Sequence, residues 1–213
     1  LSARVEYGFY AEEPRVIEAA AAALERLPED APGVRYNRAL AAYRSAQLRP
    51  REDKRFADAL DDCLELSPTE DANDDAEPWI LVAACASLGV ERGSSQQRRR
   101  DEALARARGI DEDNPRIAFL EASLLVSGLS GAPYGAAPEV AAALTRAAEA
   151  FRAWDGGYMG PTWGEAETLV LLGEVHLQRG ETRVARDLLE RALLIAPDYR
   201  AALNLRARLQ RAP

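Results

Sequence analysis

Apolar residues recur at steps of three and four along almost the whole chain. Near the C-terminus, Leu169, Leu172, Gly173 and His176 share one helix face, and Ala185, Leu189 and Ala192 share a second. Gly180 lies between the two sets, where the first helix must end, and Pro197 stops the second. Gly173 and Ala185 are small enough for two antiparallel helices to approach closely. The same period predicts earlier helices on Ile17, Ala20, Leu24 and Leu27, on Tyr36, Leu40 and Tyr43, and on Phe56, Leu60, Cys63 and Leu64 up to Pro68. Further helices follow from Trp79 to Gly89, from a Ser95 cap through Ile110, over Ile117–Leu125 and over Val140–Phe151. Val5, Tyr7, Phe9 and Tyr10 crowd into a partial helix at the start, and Ala202, Leu205 and Leu209 give a final one. No strand-like alternation appears. The expected fold is all-α, with roughly ten helices in antiparallel pairs that bury their apolar faces by stacking into an α-solenoid.

The C-terminal pair resembles the tetratricopeptide repeat (TPR). In that pattern an aromatic, Leu-Gly and Tyr are followed by Ala, Phe and a closing Pro. Leu172, Gly173, Ala185 and Pro197 match it, while Leu169, His176 and Leu189 stand in its three aromatic slots. The resemblance covers one repeat, residues 166–199, with 200–211 as a capping helix. Weaker copies precede it: the central glycine is missing from the pair that ends at Pro68, and Ala122 takes the glycine slot in the pair before the strong repeat. The whole chain, 1–213, is read as one helical-repeat domain.

Composition narrows the function. The net charge is -8 and the pI about 4.9. That speaks against nucleic acid, whose binding needs a basic face, and against adsorption to anionic membranes. Of 27 basic residues only Lys54 is a lysine, an Arg-rich habit typical of GC-rich genomes. No apolar run reaches the ~18 residues of a membrane span. The first residue is Leu1 rather than Met, so either a leader was removed or the chain is a fragment; of these, a cleaved export signal is favoured, and with it an exported location over a cytoplasmic one. Cys63 and Cys85 could pair in an exported protein. The plainer expectation is two separate buried apolar thiols.

Candidate chemistry is sparse. His176 is the sole histidine, and its repeat slot assigns it to packing rather than to a catalytic group. Asp71, Asn73, Asp75 and Glu77 alternate as in a calcium loop, but Ala76 and Val82 stand where that loop needs Gly and Glu. They suit a solvated linker that favours the next helix N-terminus. The glycine-rich stretch 128–135 lacks the Gly-Lys-Ser/Thr ending of a phosphate loop. Arg98, Arg99 and Arg100 are broken by Asp101 and Glu102 and read as a solvated face. No catalytic residue, metal ligand or cofactor is expected.

Partner binding is the expected role. On the first helices of the last two pairs, Arg116, Phe119 and Ser123, then Glu167, Val170, Glu174, Leu177 and Gln178, fall on the face away from the packing stripe. Their mix of apolar and charged groups suits a groove holding a protein or peptide. The long loops 128–138 and 154–164 supply a second candidate in Tyr134, Tyr158, Met159 and Trp163, for a small ligand or for an oligomer-forming role, unless these aromatics plug the stack. A homo-oligomer stacked through Leu205 and Leu209 of the final helix is a third expectation. The extended loops loosely resemble those of envelope-associated TPR proteins, which implies an accessory-subunit role.

Overall fold

A computed structural model describes residues 1–67, 72–129, 134–155 and 161–211, apart from the side chains of Arg92 and Tyr134. The described residues form an all-α fold of eleven helices with no strand. They divide into two compact units, Leu1–Glu112 and Asp113–Pro213.

The first unit holds α1 (Ser2–Tyr10), α2 (Pro14–Glu25), α3 (Val34–Gln47), α4 (Lys54–Leu66), α5 (Glu77–Leu88) and α6 (Ser94–Ile110). They pack as three successive hairpins, α1 with α2, α3 with α4 and α5 with α6. The first helix of each hairpin also touches the first helix of the next. The N-terminal segment is a full helix rather than a partial one. It closes with Glu12 at φ 56°, where Glu13 N–H donates to Gly8 O at 2.7 Å and Glu12 N–H to Phe9 O at 3.1 Å. At Gly8 an added Cβ would lie 2.7 Å from Ile17, so α1 and α2 cross at backbone distance. The α5 helix is apolar on all sides and buried on all sides, as the run Ile80–Ala86 requires.

Helix ends are set by local chemistry. Pro14, Pro78, Pro115 and Pro138 sit within the first two positions of α2, α5 and the two helices that open the second unit. Asp53 accepts the Arg55 N–H at 2.9 Å, and the hydrogen bond from the Arg55 side chain holds its carboxyl below the usual aspartate range. Gly93, rather than Ser95, caps α6. Arginines cover helix-end carbonyls across hairpins. Arg38 of α3 donates to Leu24 O at 3.0 Å and Leu27 O at 3.1 Å at the end of α2, and Arg99 of α6 donates to Leu64 O at 3.0 Å near the end of α4. Part of the arginine content therefore serves the fold directly.

Cys63 on α4 and Cys85 on α5 are joined as a disulfide across 22 residues, with Cα atoms 6.2 Å apart. This corrects the reading of two separate thiols. Both residues are fully buried, as that reading required, but the α4–α5 packing brings them together. Closing a loop of this length stabilises the folded state by about 3 kcal/mol. Replacing both cysteines by alanine is expected to lower the denaturant midpoint accordingly. Reductant should lower the midpoint of the unaltered protein and leave that of the variant unchanged.

The second unit holds α7 (Pro115–Gly128), α8 (Pro138–Ala153), α9 (Glu165–Gln178), α10 (Thr182–Ile195) and α11 (Arg200–Arg211). Hairpins α7/α8 and α9/α10 stack through α8 and α9, and α11 closes against α9 and α10. Their shared core includes Leu144, Leu169, Val175, Leu189, Leu205 and Leu209. An added Cβ on Gly173 would meet Leu189 at 3.4 Å and Ala185 O at 3.6 Å, which is the close helix contact that the small residues predict. At the end of α9, Gly180 takes φ 78°, Glu181 N–H donates to His176 O at 2.8 Å and Gly180 N–H to Leu177 O at 3.0 Å. These two bonds satisfy helix-end carbonyls and need the left-handed residue that glycine supplies without strain.

Candidate functional site

The eight groove residues predicted from sequence divide into two groups. Arg116, Phe119, Glu167 and Val170 are buried. Ser123, Glu174 and Leu177 are partly exposed, and Gln178 is exposed.

Arg116 starts α7 and is only 1% exposed. Its guanidinium lies 4.6 Å from the centre of the Trp154 ring, 5.7 Å from Trp163 and 5.8 Å from Phe151. It also donates to Pro161 O. Phe119, one turn further along α7, meets Trp163 edge-on at 6.2 Å between centroids. The segment before α9 is thereby packed onto α7. Trp163 is fully buried, so of the aromatic-loop candidates it belongs to the plug. Tyr158 and Met159 lie outside the described residues, as does the side chain of Tyr134.

Glu167 works on its own helix end. Its carboxylate accepts the Gly164 N–H at 2.9 Å, while the Thr168 hydroxyl donates to Gly164 O at 2.7 Å. Gly164 has φ 103° and an added Cβ would lie 2.7 Å from Phe151, so both conformation and space demand glycine there. Val170 enters the apolar core of the unit. Gln178 is engaged by the turn Tyr134–Ala136: its side-chain oxygen accepts the Gly135 N–H at 2.6 Å, and neighbouring Arg179 donates to Gly135 O at 2.6 Å.

What stays accessible is a smaller surface. Glu174 of α9 pairs with Arg208 of α11 at 3.4 Å, with the two side chains 28% and 55% exposed. On α11, Asn204, Arg208 and Arg211 follow at steps of four and three, and all are exposed. Leu177 lies one turn beyond Glu174 and is partly buried against the core. The face therefore joins one apolar anchor, one carboxylate and two guanidinium groups. Sequence reasoning missed the α11 half because it took that helix as a cap and as a self-stacking surface through Leu205 and Leu209, not as part of the groove. The signal was present in the spacing of Asn204, Arg208 and Arg211.

Leu205 and Leu209 are each 4% exposed and sit in the core, so stacking a second copy on them would require unpacking α11. His176 is partly buried and its Nδ1 pairs with Glu181 just beyond the turn. Of the acidic linker, Asp71 lies outside the described residues, and Asp75 accepts the Glu77 N–H at 3.0 Å just ahead of α5. Among the described residues no group of three or more His, Cys, Asp or Glu could hold a metal ion. Nor is any described helix long and apolar enough to cross a membrane.

One buried pair escaped the sequence reading. Arg44 of α3 donates to both carboxylate oxygens of Glu6 on α1, at 3.1 and 2.7 Å, with both residues at most 5% exposed. The guanidinium stacks 3.9 Å above the Phe9 ring, flanked by Tyr43 and Tyr10, and donates to Gln47 at 2.8 Å. Each unit thus encloses one arginine among aromatic rings.

Compared with known proteins, the sequence matches no protein-family model, and no curated protein is significantly similar to it.

Proposed function

We propose that this chain is a non-enzymatic interaction module of the TPR kind, which binds a protein or peptide partner on the face shared by α9 and α11. The supporting observation is the Glu174–Arg208 contact, which sets the exposed residues of two first-position helices side by side. The partner segment carries carboxylates toward Arg208 and Arg211 and an apolar side chain toward Leu177. Opposed charges give orientation and a single anchor gives affinity. The helical-hairpin fold and the resemblance of residues 166–199 to a tetratricopeptide repeat support the same role. Export to an oxidising compartment belongs to this reading, because a disulfide such as Cys63–Cys85 persists there. The loose resemblance of the extended loops to those of envelope-associated TPR proteins adds a place as an accessory subunit to the proposal.

The test is capture by the tagged full chain with and without Arg208→Glu/Arg211→Glu. Both side chains are exposed, so the melting temperature should stay within about 2 °C of that of the unaltered chain. Loss of the captured partner is expected. Undiminished capture by a folded double variant would remove this face from consideration.

A further inference from the structure

The outward face of α10 carries an apolar strip that its own unit leaves open. Leu194 is 83% exposed, Val184 43% and Ile195 42%, and between them Asp187 and Arg191 are exposed as well. Val184, Asp187, Arg191 and Leu194 are spaced three, four and three, which puts them on one face of the helix. Among the described residues neither Asp187 nor Arg191 makes an ion pair within 4 Å.

The order of these residues is self-complementary. Their spacing is the same read from either end, with its centre at Leu189. A second α10 laid antiparallel about a two-fold axis at Leu189 sets Val184 against Leu194 and Asp187 against Arg191. The two-fold makes each of those contacts twice. A parallel in-register pair would instead set Asp187 on Asp187 and Arg191 on Arg191, and like charges resist that arrangement. Charge and apolar pattern therefore select one partner and one orientation.

We propose that the protein self-associates as a two-fold dimer through α10, with Val184 and Leu194 forming apolar ends around crossed Asp187–Arg191 pairs. The contact spans about three helical turns. It buries less than the roughly 1,600 Å² of a standard stable interface, so the dimer is weak and concentration-dependent. It leaves Glu174, Arg208 and Arg211 outside the contact, so the dimer and the proposed partner face stand or fall separately.

Sedimentation of the full chain over a concentration series tests the proposal, starting from a 23.2 kDa monomer. The unaltered protein is expected to shift toward twice that mass as concentration rises. Leu194→Glu should hold it monomeric. Asp187→Arg alone should raise the dissociation constant about tenfold, because it opposes arginines across both symmetric contacts. Asp187→Arg/Arg191→Asp restores the opposed charges and should return the constant to within about threefold of the original. Melting curves of the variants confirm that each is folded. A monomer at every concentration overturns the proposal, as does self-association undiminished by Leu194→Glu. A folded charge-swap variant that stays as weak as Asp187→Arg also overturns it.

Discussion

Replacing Glu6 by alanine should destabilise the first unit by about 3–5 kcal/mol, because it takes a hydrogen-bonded carboxylate away from a buried guanidinium. Arg44 is 1% exposed, and two of its hydrogen bonds go to the Glu6 carboxylate. The Phe9 and Tyr43 rings and Gln47 stay in place, but these three neighbours are neutral and do not replace the carboxylate. Arg44→Ala should cost a comparable amount, since it leaves the carboxylate buried and removes the stacked side chain. The paired replacement Glu6→Leu/Arg44→Met removes both charges and keeps volume. It should recover most of the loss, since a buried ion pair is often no more stable than a well-packed apolar substitute. Urea unfolding of the unaltered chain, the two single variants and Glu6→Ala/Arg44→Ala gives the coupling energy directly, with Glu6→Leu/Arg44→Met measured beside them. A single-variant cost below about 1 kcal/mol would mean that water reaches the pair, and the burial argument would fail.

Trp163→Ala should cost the second unit a similar amount, about 3–5 kcal/mol. The ring is fully buried, stands edge-on to Phe119 and lies near the Arg116 guanidinium. Its removal opens a cavity between the segment before α9 and the start of α7, and it takes away one wall around a buried cation. Trp163→Phe keeps an apolar ring there and should lose roughly half as much. Paired with Phe119→Ala, the loss should be less than additive, because both changes remove the same contact. A Trp163→Ala protein that melts with the unaltered one would show that the segment is not held by this ring.

The two units differ in how legible they are from sequence. In the second, the Gly173–Ala185 contact, the left-handed turn at Gly180 and the stop at Pro197 are local events within one helix pair. Their spacing contains the geometry that the structure shows. In the first, the α3/α4 pair packs as a hairpin without the central glycine, so only its apolar period pointed to it. The predicted groove was legible as a helix face but not as a surface. Helical period tells which residues lie together and cannot tell what packs over them. The segment 161–164 covers Arg116 and Phe119, and the turn at Gly135 takes up Gln178. Both of these come from outside the helices they cover.

By itself the sequence determined the all-α class, the helix spans, the C-terminal repeat geometry and the small-residue contact within it, because propensity, caps and a 3.6-residue period act over a few residues. Only the tertiary structure decided the pairing of Cys63 with Cys85, the hydrogen bonds from Arg44 to Glu6 and the enclosure of Arg116 by Trp154 and Trp163. It also decided which stretch of α10 faces outward. Each of these joins or separates residues that are far apart in the chain. Such contacts depend on which helix faces meet when hairpins stack, and no local pattern encodes that choice.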